Sequence, residues 1–320
     1  MSARTRTALV VALLAAVAGA AVAAAAVLSA EEVAGRAAGQ TAPDRRPGFP
    51  PLVLSFGVRD DAEARELGRA ADLYDRGRRA VAARIFARYD SLEAKLGAAF
   101  AAWPASIDRI EQLGALFPRS ALVQLHVGYA RFWAGTGGAE VAWREARDVE
   151  PDTPYAVRAD DVLHRELAPG LPTFIPSFAY AVEGATPREQ LEALRRDRSV
   201  RGRLLVGVAL QRLGRPVSAR RAFEEALRLA PASVEALVAD AVGRYEKSRP
   251  AAAFSRLGPL TRRFPGAATV RFHLGLLLLW QKDVVEAKRQ LRLAESVQPG
   301  GRIALEARRF LNELSKAGTR

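Results

Sequence analysis

Asp160, Asp161, His164 and Glu166 are the residues of this 320-residue chain whose types and spacing come nearest to chemistry. Asp160 and His164 stand four apart, so a helix puts both on one face, where a carboxylate and an imidazole can share a metal ion or pass a proton. A metal centre needs a third ligand, and none follows at helical spacing; solvated polar side chains account for the group equally simply. The chain has no cysteine and three histidines, which removes thiolate zinc sites, iron–sulfur clusters and cysteine nucleophiles. No Gly-rich phosphate loop, HExxH helix or GxSxG elbow is present. The expectation is a non-enzymatic protein that uses no cofactor and no metal.

The elements that must carry these residues announce themselves by repetition. Pro231, Pro265 and Pro299 recur every 34 residues, and the residues before them keep register. Gly207, Ala219, Phe223 and Ala226 precede Pro231. Gly275, Ala287, Leu291 and Ala294 precede Pro299 at the same offsets. Ala241, Ala253, Leu257 and Leu260 form a weaker set before Pro265, and Gly128, Trp143 and Ala146 an earlier one before Pro151. Such spacing describes two antiparallel helices whose small residues let the backbones meet while a large side chain fills the space between units. The proline ends the second helix and turns the chain into the next pair. His126 and His273 fall at matching places in two repeats, which points to packing.

These residues resemble the tetratricopeptide repeat (TPR) family, most clearly over 121–153 and 200–301. The resemblance implies an all-α fold, a right-handed α-solenoid of TPR-like helix pairs, and a protein-binding rather than catalytic role. Residues 60–118 read as degenerate helix pairs, 119–199 as one unit plus an inserted Pro/aromatic loop at 168–185, 200–301 as three units and 302–320 as a capping helix and tail. Asp60 with Glu63, and Thr186-Pro187 with Glu189, suit helix starts.

In the resembling family the first helices line a concave groove. Carried over by helical spacing, that face offers Tyr129, Phe132, Val208, Gln211, Val242, Tyr245, Phe272, Leu276 and Trp280 to a protein or peptide partner. Packing within the protein is the competing reading. Two apolar, proline-containing segments, Phe49–Phe56 and 168–185, are candidates to occupy the groove from within, the second docking through Phe174, Ile175 and Phe178. Second helices carry a basic stripe, Arg220, Arg221, Arg228, Lys288, Arg289 and Arg292, for which an anionic polymer or lipid is the alternative partner. Nucleic acid is disfavoured, because the aromatics that would stack bases project to the other face.

Charge and the amino terminus complete the picture. The net charge is +13, and residues 186–320 hold 27 basic against 13 acidic side chains; this is a C-terminal property of outer helices. Residues 1–7 form a short basic tail, and 8–30 are 23 uncharged residues dominated by Ala, Val and Leu. At about 1.5 Å per residue they span a hydrocarbon core, so a single-pass transmembrane signal-anchor is expected, with a Pro/Gly-rich linker at 31–59. A cleaved signal peptide ending near Ala21-Val22-Ala23 is the alternative. The whole reads as a membrane-anchored TPR protein of bacterial type whose solenoid faces away from the cytoplasm, assisting envelope assembly or quality control.

Overall fold

The computed structural model describes residues 46–178 and 187–317, which form fifteen α-helices and no strand. The apolar segment 8–30 and Thr186 lie outside the described residues. Among the described residues no helix is long and apolar enough to cross a membrane.

The helices fall into two similar halves. The first contains α1 (Ala62–Asp75) and α2 (Arg79–Phe86), α3 (Leu92–Ala101) and α4 (Ile107–Leu116), α5 (Ala121–Ala134) and α6 (Ala139–Val149), then a single α7 (Pro154–Leu163). The second opens with an additional helix, α8 (Pro187–Arg196). It continues with α9 (Val200–Arg212) and α10 (Pro216–Leu229), α11 (Val234–Gly243) and α12 (Ala251–Arg263), α13 (Ala268–Trp280) and α14 (Val284–Val297), and ends on α15 (Arg302–Ala317). Each half is thus three antiparallel pairs closed by one helix. First helices also pack on the first helices of neighbouring pairs, forming an inner layer.

Local chemistry explains the boundaries. Ser91, Thr153, Ser199 and Ser233 each accept a hydrogen bond from a backbone N–H of the turn they begin, capping α3, α7, α9 and α11. The start of α1 is displaced by one residue from the sequence expectation. Asp61, not Asp60, caps it, its carboxylate accepting from Ala64 N at 2.9 Å.

Pairs meet where a glycine faces a large side chain. A Cβ on Gly207 would sit 2.1 Å from Phe223 Cε1, on Gly128 2.3 Å from Trp143 Nε1, and on Gly97 2.5 Å from Phe86 Cε1. The aromatic ring lies against bare backbone in all three places, within a pair at Gly207 and Gly128 and between successive pairs at Gly97, and Phe86, Trp143 and Phe223 are among the largest fully buried side chains. In α13 the relation is looser: a Cβ on Gly275 would be 3.0 Å from Leu291 Cγ.

The halves join through polar contacts. Asp152, before α7, accepts from Ser218 N at 2.9 Å and Ser218 Oγ at 2.6 Å, and Arg215 Nε lies 3.2 Å away. Lys247, wholly buried, meets the nearly buried Asp161 at 2.6 Å. A buried ion pair of this kind holds only because each charge has a partner, and Asp161 also accepts from Gly170 N at 2.7 Å.

Candidate functional site

Two extended segments lie across the inner faces of the halves, and each carries the pattern Gly-apolar-Pro-x-apolar-β-branched-x-Ser-Phe. The first strap runs Gly48-Phe49-Pro50-Pro51-Leu52-Val53-Leu54-Ser55-Phe56, the second Gly170-Leu171-Pro172-Thr173-Phe174-Ile175-Pro176-Ser177-Phe178. Both glycines are left-handed, with φ of 85° and 71°, a region open to glycine because it has no Cβ. The prolines keep the rest of each strap extended, so its backbone groups cannot bond to one another.

Those groups are satisfied in corresponding ways in the two halves. Arg46 N donates to the carbonyl of Trp133 at 2.9 Å, and Ala168 N to the carbonyl of Trp280 at 3.1 Å. Val53 N donates to His126 Nε2 at 3.0 Å, and Ile175 N to His273 Nε2 at 2.9 Å. The other ring nitrogen, Nδ1, is 2.6 Å from the Leu122 carbonyl in His126 and 2.7 Å from the Thr269 carbonyl in His273. A carbonyl only accepts, so Nδ1 carries the proton and Nε2 presents its lone pair to the strap. Each imidazole is therefore held neutral in one tautomer. Both are buried, and burial pushes them down to about 4, the bond to the backbone carbonyl opposing the shift in part.

Further contacts fix the register. Tyr74 Oη donates to Pro50 O at 2.5 Å, and Ser55 N donates to Tyr155 Oη at 3.0 Å. Phe174 N donates to Gln211 Oε1 at 2.9 Å. The Phe174 ring stacks on His273 at 5.1 Å and meets Phe223 edge-on at 5.6 Å. Leu52 and Phe174, the residues before the bonded amides, are each under 5% exposed. Arg302 donates to Phe178 O at 2.5 Å, and the Arg201 guanidinium lies 4.9 Å from the Phe178 ring.

The groove residues expected from the sequence mostly lie beneath or beside these straps, inside the protein. Tyr129, Val208, Val242, Tyr245, Phe272 and Leu276 are buried. Gln211 is spent on the strap, and Trp280 is half-buried with its carbonyl engaged. Phe132 is half-buried, with the Arg46 guanidinium 3.6 Å and that of Arg165 5.2 Å from its ring. Tyr245, expected on the first helix of its unit, sits past the end of α11, because α11 stops at Gly243; its hydroxyl accepts from Gln281 Nε2 at 2.7 Å. Phe174 and Ile175 are strap residues with bonded amides, and Phe178 ends the strap half-buried. His126 and His273, read from the sequence as packing residues, are the strap acceptors.

The basic stripe is partly neutralised. Arg220 lies 3.1 Å from Glu224, Arg228 3.9 Å from Glu225 and Arg289 2.7 Å from Glu286. Arg221, Lys288 and Arg292 make no ion pair among the described residues, and Arg221 and Arg292 are exposed. Of the acidic cluster, Asp161 is committed to Lys247, while His164 lies 3.4 Å from Asp160 and 3.3 Å from Glu166 beside an open cavity of about 370 Å³. Two cations of that cavity are also paired, Arg144 with Glu140 and Arg147 with Asp148. No group of three His, Asp or Glu side chains placed to hold a metal occurs among the described residues.

No family model matches the chain, and no curated protein does. Among solved structures it is similar to YrrB, a TPR protein with an unusual peptide-binding site, at 15% identity over 63% of this chain and 99% of that one, with a TM-score of 0.30. Yeast Tom70 is similar at 14% identity over 85% of this chain and 67% of its own, TM-score 0.31. The Cut9–Hcn1 hetero-tetramer of the APC/C gives 15%, 79% and 55%, TM-score 0.29. At such values no property of these proteins passes to this chain. Among the described residues its own structure is an all-helical stack of antiparallel pairs whose two inner faces hold extended polypeptide.

Proposed function

We propose that the chain is a protein-binding scaffold, non-enzymatic, whose inner faces engage extended segments of a partner and whose N-terminal segment 8–30 anchors it to a membrane. The observation that supports the binding reading is the pair of straps. Each inner face offers a main-chain acceptor, His126 or His273, flanked by aromatic and aliphatic side chains, and each holds an unstructured length of chain through its backbone. A surface built this way recognises polypeptide by the group every residue has, with side-chain pockets adding selectivity. Asp161 is paired with Lys247, and His126 and His273 are engaged by the straps. A role in assembling or checking envelope complexes is the setting we propose for it.

Site-specific photo-crosslinking in intact cells tests this. A benzophenone side chain replaces Phe56 or Phe178 at the strap ends, or Arg221 or Arg292 on the outer stripe. Partner crosslinks from the strap-end positions are expected. Crosslinks confined to Arg221 and Arg292 and abolished by high salt would transfer the function to an anionic ligand on the outer face. Retention of the same chain in carbonate-washed membranes, lost when residues 8–30 are deleted, checks the anchor.

A further inference from the structure

We infer that each half is a binding site for one class of ligand, an extended segment of pattern Pro-x-apolar-β-branched-x-Ser-Phe, and that the straps are resident copies of that ligand which a partner segment displaces. The inference rests on the scaffold reading and names the ligand.

Two instances on one chain, one in each half, carry it. The straps share the pattern at Pro50, Leu52, Val53, Ser55 and Phe56 and at Pro172, Phe174, Ile175, Ser177 and Phe178. Their intervening positions differ, Pro51 against Thr173 and Leu54 against Pro176, so what recurs is what the grooves read. In both, an apolar side chain is buried immediately before the residue whose amide meets the histidine. In both, the serine amide two residues later is bonded, Ser55 N to Tyr155 Oη at 3.0 Å and Ser177 N to Glu235 Oε2 at 3.4 Å. The acceptors are different side chains on different helices, so the serine amide is held in both halves although its partner is not shared. The two amides bonded in both halves stand two residues apart, as alternate N–H groups of an extended strand do, and the second strap adds a bond from Phe174 N to Gln211.

Displacement exchanges one set of main-chain hydrogen bonds and buried apolar contacts for another of the same kind, so it needs no change in the groove. The second strap is followed by residues 179–186, then α8, and the first is preceded by the linker. A tethered strap competes at an effective concentration in the millimolar range. An added segment therefore binds the native chain weakly, and much more tightly once the resident strap is impaired.

The test uses the full-length chain and a fluorescein-labelled peptide of residues 168–178, read by fluorescence anisotropy. Ile175→Pro deletes the strap's donor while leaving every groove side chain in place, and proline suits the extended path there. The Ile175→Pro chain, with helicity checked by circular dichroism, is expected to bind the peptide at least tenfold more tightly than the native chain. A peptide N-methylated at the Ile175 position is expected to lose that binding, since it lacks the amide His273 accepts. Equal binding of the methylated peptide overturns the inference, as does equal affinity for the two chains. An Ile175→Pro chain that instead dimerises in light scattering, without competition by peptide, also overturns it in favour of strap exchange between copies. Should Ile175→Pro fail to fold, a benzophenone-labelled peptide crosslinked to the native chain decides. Mapping to α13 supports the inference, and mapping elsewhere refutes it. Peptide binding can fail while partner crosslinks from Phe56 and Phe178 persist, and that outcome removes the ligand pattern but leaves the scaffold role standing.

Discussion

Acidification should loosen both halves through His126 and His273, and the size of the effect is set by their surroundings. Each imidazole is neutral in the folded chain, bonded as donor at Nδ1 and acceptor at Nε2. Burial disfavours the charged imidazolium, so the folded value drops from 6.5 to about 4, and a proton added at Nε2 would also point at a strap N–H. Below pH 6.5 the unfolded chain binds protons that the folded chain refuses, and stability falls as pH falls until about pH 4. Between pH 7.5 and pH 5.0 linkage gives a loss of about 2 kcal/mol for each histidine, or about 4 kcal/mol for both. Lowered carboxylates such as Asp61 and Asp148 begin to contribute only at lower pH. Raised ones such as Asp160 and Glu235, pushed up by burial, act in the opposite direction.

The comparison is therefore made against variants. His126→Phe and His273→Phe each leave one strap amide unpaired, costing about 1–3 kcal/mol at neutral pH, but remove one proton from the linkage. Urea unfolding followed by tryptophan fluorescence separates the halves, since Trp103, Trp133 and Trp143 lie in the first and Trp280 in the second. Each variant should flatten the pH dependence of its own half and leave the other unchanged. Parallel pH curves for native and doubly substituted chains would refute the assignment of the histidines as neutral strap acceptors.

Packing sets the remaining expectations. Gly207→Ala places a Cβ against the Phe223 ring at 2.1 Å and should cost about 1–3 kcal/mol in urea unfolding, whereas Gly275→Ala, at 3.0 Å from Leu291, should cost less. Equal costs would contradict the close approach of α9 to Phe223. Lys247→Met removes the nearest partner of the Asp161 carboxylate, leaving it Arg158 at 3.9 Å and the Gly170 amide, and should destabilise by about 1–3 kcal/mol; adding Asp161→Leu should not recover all of that, since the Gly170 amide is then left without its acceptor. Tyr74→Phe removes the bond to Pro50 O and should cost about 0.5–1.5 kcal/mol, read as faster hydrogen exchange in residues 49–56 with exchange in 171–178 unchanged.

The helix pairs were legible because close packing imposes a local rule. A glycine on one helix and an aromatic on the next lie about four helical turns apart in sequence, as Gly207 with Phe223 and Gly128 with Trp143 show. The first two pairs were harder to read because α2 is only eight residues long, so no single period runs through them. The straps were visible as apolar, proline-containing segments that water would not keep. Their mode of attachment was not visible. Val53 and His126 are 73 positions apart and Ile175 and His273 are 98 apart, the second interval lengthened in part by α8. A search at one period does not register a duplication whose halves differ in length. The signal that reveals it is the shared Gly-apolar-Pro-x-apolar-β-branched-x-Ser-Phe pattern, read together with a histidine two residues before Gly128 and again before Gly275. Helical spacing also carried Tyr245 onto a first helix, where Gly243 in fact ends the helix and leaves Tyr245 in the following link.

The most direct test of the account is nitrogen-15 NMR of the histidine rings in the native full-length chain at neutral pH. His126 and His273 should both appear as the Nδ1–H tautomer, each with a through-hydrogen-bond coupling from Nε2 to the amide of Val53 or Ile175. An Nε2–H tautomer, or the absence of both couplings, would contradict the claim that the inner faces grip extended polypeptide by its backbone.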